Sequence, residues 1–467
     1  MLFRTAATIF ATLLLVFLVG CASQRTFLSV GQDDLLKCPP LPVLSGEETY
    51  DLALSGGGYR AMLFHVGALW RLHELGILSD TRFISSVSGG SIAAGVLALQ
   101  LERIQSDLIN NTTNCFRRLV ADPLVAFAQT TVDVKAAGQA FLSPHSAGNV
   151  LAGYYRKNLF GDARLQEIPV RPAFAFQATN LHTGSVWSFT REWMGDPQVG
   201  YAFAGDIRLS DAVAASSSFP PVLSPFVLEN SGRQWLTTPS DTPVVFSREY
   251  VEARRLKGQD GSFTAAATTE MVKDMRQRIL LTDGGVADNL AIEGIWFSTK
   301  TLLISDGGAN PTAVAHPSSN WFSQLVQITE LLHAQPSQLR YRDLLEGFRA
   351  TRRTGGRDGA YWALGKPLPC HAEKKWAFSS RADVNLIFRL SAIQTRLAAM
   401  DQRQAHELVN LGYHMADWSI PYIDARWRKF TPEISTLLPY PEASIWGGDR
   451  TQGGVGYCGN SGESRLN

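Results

Sequence analysis

Apolar residues in the first part of the chain fall into short continuous runs and into longer segments with helical spacing, which predict strands and helices respectively. The predicted elements are a strand at 49–54, a helix at 60–75 that ends at Gly76, a strand at 83–87 and a buried helix at 91–101. Because a strand, a helix and a second strand in this order form a βαβ unit, the pattern predicts a parallel sheet.

The same two patterns continue downstream. Further strands are predicted at 173–178, 186–189, 278–282, 301–305 and 384–390, and helices at 209–217, 321–333, 337–350 and 402–414. Together these elements predict an α/β fold, a three-layer αβα sandwich with a mostly parallel central sheet and additional C-terminal helices. Residues 229–275 match no core element, and a loop of that length in a compact domain is usually functional or mobile.

Composition narrows the choice of partners. With 467 residues, of which 45% are hydrophobic, the chain can bury the core of one large domain or of two ordinary ones. Its formal net charge is +1 and no run of Lys and Arg stands out, so nothing points to a nucleic-acid groove. We therefore expect no nucleic acid among its partners.

The N-terminus has the pattern of a secretory signal. An apolar run over 6–19 follows a positive charge and is short for a membrane span, which needs about 20 residues. It ends in Leu18-Val19-Gly20-Cys21, which resembles the lipobox of bacterial lipoproteins. The resemblance implies a signal peptide at 1–20, a diacylglyceryl anchor on Cys21 and, because Ala22 follows, a place on the periplasmic face of the outer membrane. An ordinary signal peptide and an uncleaved membrane anchor are the alternatives.

Residues 21–47 are predicted to form a tether, stiffened by the prolines that follow Cys38. An oxidising compartment permits disulfides among the four cysteines other than Cys21. Four cysteines allow three pairings, and the sequence cannot choose among them; a single disulfide, or none, is also open. The four are Cys38, Cys115, Cys370 and Cys458.

The strongest chemical signal is Ser86-Val87-Ser88-Gly89-Gly90-Ser91, where a strand meets a helix. This is the setting of a nucleophile elbow, a sharp turn that requires small neighbours and lifts a serine toward the substrate. Ser88 has small residues two positions before and after it, Ser86 and Gly90. The free N–H groups and positive dipole end of the following helix point at the same place. A Ser/Gly-rich loop that merely begins a helix is the alternative.

A second signal is Gly56-Gly57-Gly58-Tyr59-Arg60, directly after the first strand. Glycines let backbone N–H groups approach a substrate oxygen, and two such groups make an oxyanion hole. A phosphate-binding loop is disfavoured, because no Gly-Lys-Ser/Thr follows and the Gly-x-Gly-x-x-Gly pattern fails at Ala61.

The third signal is Asp283-Gly284-Gly285, with Asn289 downstream, at the carboxyl end of a predicted strand. In parallel sheets this is the edge where ligands bind. An aspartate there can accept a serine proton as general base, but it needs burial to raise its pKa or a short hydrogen bond to Ser88.

In this order the three motifs resemble those of the patatin-like phospholipase family. Stretches at 178–184 and 212–221 are similar to further parts of the family pattern, so that the resemblance covers residues 48–310. It implies a Ser–Asp dyad without histidine, in which Ser88 is the nucleophile and Asp283 the base, and hydrolysis of acyl esters of phospholipids and neutral lipids.

The resemblance also assigns the glycine loop. Gly56, Gly57 and Gly58 would form the oxyanion hole together with Arg60; Gly57 and Gly58 are the expected N–H donors, and Arg60 is expected to support the loop. No metal and no organic cofactor is implied. One departure from the family pattern is Ser86, which stands where the first elbow glycine is expected. Another is the 229–275 insertion, interpreted as a lid or a surface for another protein.

Rival residues are weaker. Asp306-Gly307-Gly308 repeats the third motif but lacks a partner equivalent to Asn289. His65 is predicted to be a packed helix residue, because a Ser-acid-His order requires a late histidine and none lies in a strong motif. The basic and aromatic stretch at 352–362 is interpreted either as a contact for anionic headgroups or as a solvated loop.

The prediction is therefore a lipid acyl hydrolase with membrane lipid as its substrate and no assigned protein partner. Its catalytic domain spans 48–310, and a helical, loop-rich extension at 311–467 packs on the same domain. An acyltransferase, an inactive lipid-binding envelope protein and a hydrolase of non-lipid esters or peptides are the alternatives.

Overall fold

The structure is a computed structural model of the chain. The signal peptide predicted at 1–20, Cys21 and most of the helix predicted at 321–333 lie outside the residues it describes. No helix within those residues combines the length and the apolar character needed to cross a bilayer. The structure describes residues 37–41, 49–110, 112–142, 145–229, 232–236, 270–296, 298, 300–308, 359–365, 384–420 and 438–445, and parts of 320–348.

One sheet lies at the centre, with the strand order β11-β10-β1-β2-β3-β4-β5-β6-β8; β9 branches from β3 and carries β7. The strands are β1 Tyr50–Leu54, β2 Thr81–Val87, β3 Ala173–Asn180, β4 Val186–Thr190, β5 Trp193–Asp196, β6 Gly200–Phe203, β7 Phe226–Glu229, β8 Trp235–Leu236, β9 Arg278–Asp283, β10 Thr301–Asp306 and β11 Gly359–Ala363.

The sheet has a parallel half and an antiparallel half. β11, β10, β1, β2 and β3 pair in parallel, whereas every other pairing in the described chain is antiparallel. The predicted α/β fold is confirmed. The mostly parallel character holds only for the half that includes β1 and β2, because short turns such as 181–185 reverse the chain between neighbouring strands.

Helices and short helical segments surround the sheet. The longer helices are α1 Gly58–Glu74, α2 Gly89–Asn110, α3 Asp122–Phe127, α4 Asp133–Phe141, α5 Ala147–Tyr155, α6 Leu209–Ser216, α7 Glu270–Gln277, α8 Val384–Ser391 and α9 Gln402–Ser419. The short segments are Asn114–Phe116, Arg117–Ala121, Arg156–Phe160, Leu165–Glu167, Gly285–Asp288 and Glu293–Ile295.

Strand periodicity explains the layers, since successive side chains of a strand point to opposite faces. Leu52 and Leu54 of β1 join the larger core, which contains the buried faces of α1, α2 and α9. Ala53 between them joins a smaller core on the other face, which is covered by residues 290–295 and Leu344. The two cores lie on either side of the sheet, as a three-layer arrangement requires.

The extension after residue 310 differs from the prediction in two elements. Residues 384–390, predicted as a strand, belong to helix α8. Leu386, Ile387 and Leu390 are buried while Phe388 is 61% exposed, a one-sided pattern that suits a helix on the surface of the core. The extension also supplies β11, which pairs with β10 and was not predicted as a strand.

The structure describes parts of the predicted insertion and of the tether. Within 229–275 lie β8, which pairs with β6, and the start of α7; residues 237–269 lie outside the described chain. In the tether, Cys38 is buried and forms a disulfide with Cys115. The Leu41 N–H donates to the Glu102 carbonyl of α2 at 2.9 Å. The chain before the domain is thus fastened to α2.

Candidate active site

The three sequence motifs meet at one edge of the sheet. β1 and β2 are parallel neighbours, so the glycine loop after Leu54 and the elbow after Val87 emerge side by side. Asp283 arrives differently, because β9 pairs antiparallel with β3 and with β7. The expectation that Asp283 follows a parallel strand is therefore wrong. Its pairing with Ala178, next to the Gln177–Val87 pair, nevertheless brings Asp283 to the end of β2.

Ser88 lies at the turn between β2 and α2. Its φ is +52°, a left-handed conformation that is rare for residues other than glycine and is typical of strained functional positions. The Gly90 N–H donates to the Ser55 carbonyl at 3.1 Å, and a Cβ on Gly90 would lie 2.4 Å from the Leu54 carbonyl oxygen. Gly90 is therefore required for the close approach of the elbow to the end of β1.

Ser86 shows how the elbow accommodates a serine in place of the expected glycine. Its side chain is fully buried, and its hydroxyl donates to the Ala175 carbonyl of β3 at 3.0 Å. The Ser91 hydroxyl donates to the same oxygen of Ser86 at 3.0 Å. Because the hydroxyl is satisfied on both sides, the turn is kept without an unpaired buried polar group.

Ser216, at the end of α6, was not singled out from the sequence. Its hydroxyl accepts the Ser88 N–H at 3.0 Å and donates to the Gln177 carbonyl at 2.6 Å. It also lies 2.8 Å from the Ser91 hydroxyl. Ser216 falls inside the 212–221 stretch that resembles the family pattern, but its role follows only from the tertiary structure.

Asp283 is buried beside Ser88. Its Oδ1 accepts the Gly285 N–H at 2.7 Å, while Oδ2 accepts no hydrogen bond of standard length from the described residues. Burial raises the pKa of Asp283 from its ordinary value to about 6, and the neighbouring Ser88 hydroxyl and the Gly285 N–H offset part of the rise. Oδ2 is thus the carboxyl oxygen that remains available to accept a proton.

The glycine loop holds its backbone in conformations suited to glycine. Gly57 has φ +142° and Gly58 has φ +60°. The Gly56 N–H donates to the Asn289 carbonyl at 2.9 Å and the Tyr59 N–H to the Arg396 carbonyl at 3.1 Å. Within the described chain the N–H groups of Gly57 and Gly58 have no acceptor, so of the predicted glycines these two remain open to a ligand, whereas Gly56 does not.

Arg60 braces this loop from behind. Its side chain is buried and donates to the Gly307 carbonyl at 3.2 Å, to Thr395 Oγ1 at 3.1 Å and to the Ile393 carbonyl. Because its guanidinium is directed at protein oxygens, Arg60 fits the predicted supporting role and not that of a direct donor to an oxyanion.

Asn289 contacts both the glycine loop and the Asp283-Gly284-Gly285 turn. Its carbonyl oxygen accepts the Gly56 N–H. A Cβ on Gly56 would lie only 2.3 Å from the side-chain oxygen of Asn289 and 3.3 Å from Ser88 Cβ. The same oxygen would lie 2.7 Å from a Cβ on Gly285. Asn289 therefore packs against both the glycine loop and the Asp283 turn.

The rival residues have other partners. His65 Nδ1 lies 2.8 Å from Ser305 Oγ and its Nε2 lies 2.9 Å from the Ser55 carbonyl, and burial lowers its pKa to about 4. This confirms a packed helix residue. Asp306 accepts from the Tyr361 hydroxyl and, at 2.9 Å, from the Gly308 N–H. Of the basic stretch at 352–362, residues 352–358 lie outside the described chain.

The chain is similar to solved structures at low sequence identity. No curated protein sequence matches the chain. The chain is similar in structure to human GIVD cytosolic phospholipase A2, at 12% identity and a TM-score of 0.43, covering 82% of this chain and 59% of that one. It is similar to VipD from Legionella pneumophila at 11% identity and a TM-score of 0.29, covering 80% of this chain and 66% of that one. The chain thus spans about three-fifths of the length of the human structure.

The comparison with protein families identifies the family of the chain. A model of the family described as patatin-like phospholipase matches residues 52–296, which include the glycine loop, the elbow and Asp283. The match covers more than half of the 467 residues. The resemblance seen in the motifs is confirmed, and the chain belongs to the patatin-like phospholipase family.

Proposed function

We propose that this protein hydrolyses acyl esters of membrane lipids, with Ser88 as nucleophile and Asp283 as general base. The observation that carries the proposal is the pairing of a strained serine, at φ +52°, with a buried carboxyl group whose second oxygen has no donor among the described residues. Family membership supports the class of reaction.

The pKa of Asp283 suits this role. A carboxylate with an ordinary pKa near 4 is a weak base at neutral pH, whereas a value of about 6 makes it a stronger base that is still ionised at pH 7. The Ser88 hydroxyl is close enough to lower the pKa of Asp283, and catalytic hydrogen bonds of this kind often tighten in the substrate complex.

The chemistry follows from these positions. Ser88 Oγ attacks the ester carbonyl carbon as Asp283 Oδ2 takes its proton, and the carbonyl oxygen becomes an oxyanion. The N–H groups of Gly57 and Gly58, at the start of α1, stabilise that charge; loss of one such donor typically costs about 3–4 kcal/mol. The leaving alcohol takes the proton from Asp283, and an acyl-enzyme remains. Water, deprotonated by Asp283, then releases the fatty acid and restores Ser88.

The test is release of fatty acid from mixed phospholipid and p-nitrophenyl acyl esters by protein that starts at residue 22. We expect Ser88→Ala and Asp283→Asn to lose at least a hundredfold in kcat while their circular dichroism stays unchanged. Asp306→Asn, which changes the aspartate of the other Asp-Gly-Gly motif, is the matched control and should retain activity within a few fold. Near-normal turnover by Asp283→Asn would refute the dyad.

Two further outcomes separate the alternatives. A fluorophosphonate probe should label the wild type and not Ser88→Ala; failure to label a folded wild type would favour an inactive lipid-binding protein. Adding alcohols to the assay shows whether the acyl group passes to another acceptor, as a transferase requires.

We also propose that the protein is a bacterial envelope lipoprotein anchored through Cys21 on the periplasmic face of the outer membrane. The lipobox resemblance supports this, and the Cys38–Cys115 disulfide suits an oxidising compartment. Metabolic labelling of the full chain with radioactive palmitate, followed by membrane fractionation, tests it. Label and outer-membrane sedimentation should disappear in Cys21→Ala; label that persists in this variant would exclude the anchor.

A further inference from the structure

A segment from the C-terminal extension, residues 393–397, lies directly on the glycine loop. The Arg396 carbonyl accepts the Tyr59 N–H at 3.1 Å, and a Cβ on Gly58 would lie 2.4 Å from that carbonyl oxygen and 2.8 Å from the Arg396 nitrogen. On the other side of the loop, a Cβ on Gly89 would lie 2.2 Å from the Gly58 carbonyl oxygen. Gly58 is therefore packed against both the backbone of Arg396 and the elbow that contains Ser88.

The guanidinium of Arg396 forms a hydrogen bond through Nε, while its other edge faces solvent. Its Nε donates to Asp133 Oδ2 at 2.9 Å, and Asp133 is itself buried and fixed by the Val134 N–H, which donates to Oδ1 at 2.7 Å. The Arg396 side chain is 45% exposed, and within the described chain its two terminal nitrogens have no acceptor. A guanidinium oriented in this way presents a pair of N–H donors to solvent.

Such a fork matches the oxygens of a phosphate, which arginine binds through two parallel hydrogen bonds. Arg60, the other arginine at the glycine loop, is buried and donates to protein oxygens, so it is not oriented toward a substrate. In a glycerophospholipid the phosphate and the acyl esters are joined through the glycerol carbons. An arginine whose backbone packs on the loop that receives the ester carbonyl has its guanidinium within one side-chain length of that loop, a distance that a phospholipid can span between its ester and its phosphate.

We propose that Arg396 binds the phosphate of a phospholipid whose acyl ester lies at Ser88, and thereby makes the enzyme prefer phosphate-bearing lipids to neutral ones. This inference rests on the proposed hydrolase function. Arg396 lies outside the 52–296 region matched by the family model, so that the preference would be a property of this chain's own extension.

The experiment compares phosphatidylglycerol with diacylglycerol of the same acyl chains, both diluted in the same non-ionic detergent micelles. Arg396→Gln keeps the backbone that packs on Gly58 and removes the charge together with the Nε hydrogen bond to Asp133. Charged hydrogen bonds of this kind are worth enough for a tenfold effect, so we expect the ratio of kcat/KM for phosphatidylglycerol to that for diacylglycerol to fall about tenfold or more, chiefly through KM. Arg396→Lys, which keeps the charge without the fork, should give an intermediate ratio.

Arg403→Gln is the matched control. Arg403 also donates its Nε to a buried carboxylate, Glu407, and its side chain is 76% exposed, but it lies on α9 and not on the glycine loop. It should leave the ratio within about twofold. An unchanged ratio in Arg396→Gln, or an equal loss on both lipids, would overturn the proposal. A failure of the hydrolase function itself would look different, because the wild type would cleave neither lipid or Ser88→Ala would remain active.

Discussion

Replacing Asp283 with asparagine should abolish turnover and at the same time stabilise the fold at neutral pH. The two effects have one origin, the burial of a carboxyl group that must be ionised to accept a proton. Asparagine has nearly the same shape, and its side-chain oxygen can still accept the Gly285 N–H that Asp283 Oδ1 now accepts at 2.7 Å. The substitution therefore removes the charge with little change in packing.

The size of the stabilisation follows from the pKa of Asp283. Burial raises this pKa from 3.8 to about 6, so the folded chain holds the proton more tightly than the unfolded chain. Stability therefore falls as the pH rises from about 4 to about 6, and above that range both states are ionised. Since a tenfold difference in proton affinity is worth about 1.4 kcal/mol, ionised Asp283 costs roughly 3 kcal/mol of stability at pH 8.

Thermal unfolding of wild type and Asp283→Asn, measured from pH 4 to pH 8, tests this reasoning. The variant should melt higher by on the order of 5 °C at pH 8, and most of the difference should disappear near pH 4, where the carboxyl is protonated in the folded state and partly protonated in the unfolded state. Asp162→Asn is the control, because Asp162 is largely exposed and should show no such pH-dependent gain. A variant no more stable than wild type at pH 8, or a gain that is as large at pH 4 as at pH 8, would refute the argument.

Three other predictions follow from the site and the tether. The kcat/KM of the wild type, measured from initial rates, should rise with pH through an apparent pKa of about 6 and level off above it, because the base must be ionised. Gly58→Ala should lower kcat by at least a hundredfold in the ester assay, since its φ is +60° and the new Cβ would meet the Arg396 backbone. Combined Cys38→Ser and Cys115→Ser should lower the free energy of unfolding in urea by up to about 4 kcal/mol, given the 77-residue separation; an unchanged midpoint would contradict this.

The site motifs could be predicted from the sequence because their requirements are local. A serine elbow needs small neighbours, and Gly90 shows why, since any side chain there would strike the end of β1. A loop that presents its N–H groups needs residues that tolerate positive φ, as Gly57 and Gly58 do. In each case the constraint acts within a few residues of the motif, so that it determines which residue types the motif contains.

The elements that were mispredicted lack such local constraints. The apolar run at 384–390 is short, and a short apolar run is compatible with a strand or with the buried face of a helix. The direction of β9 relative to its neighbours could not be predicted from the sequence either, because an apolar strand has the same composition whether its neighbour runs parallel or antiparallel. Tertiary contacts determine both structures. The burial of Leu386 and Leu390 in the core favours a helix at 384–390, and the pairing with β3 sets the direction of β9.

The surroundings of the site also depend on contacts between distant parts of the chain. Two arginines there have different environments, and the sequence does not distinguish them. Arg60 lies inside a motif and was assigned to the oxyanion loop, yet its hydrogen bonds to Gly307, Ile393 and Thr395 make it a brace between that loop and distant segments. Arg396 lies in no motif, yet its backbone touches Gly58 and its guanidinium faces solvent. Because a buried brace affects every substrate alike and an exposed cation affects only anionic ones, the roles proposed for the two arginines predict that chemistry and selectivity can be changed independently by substitution.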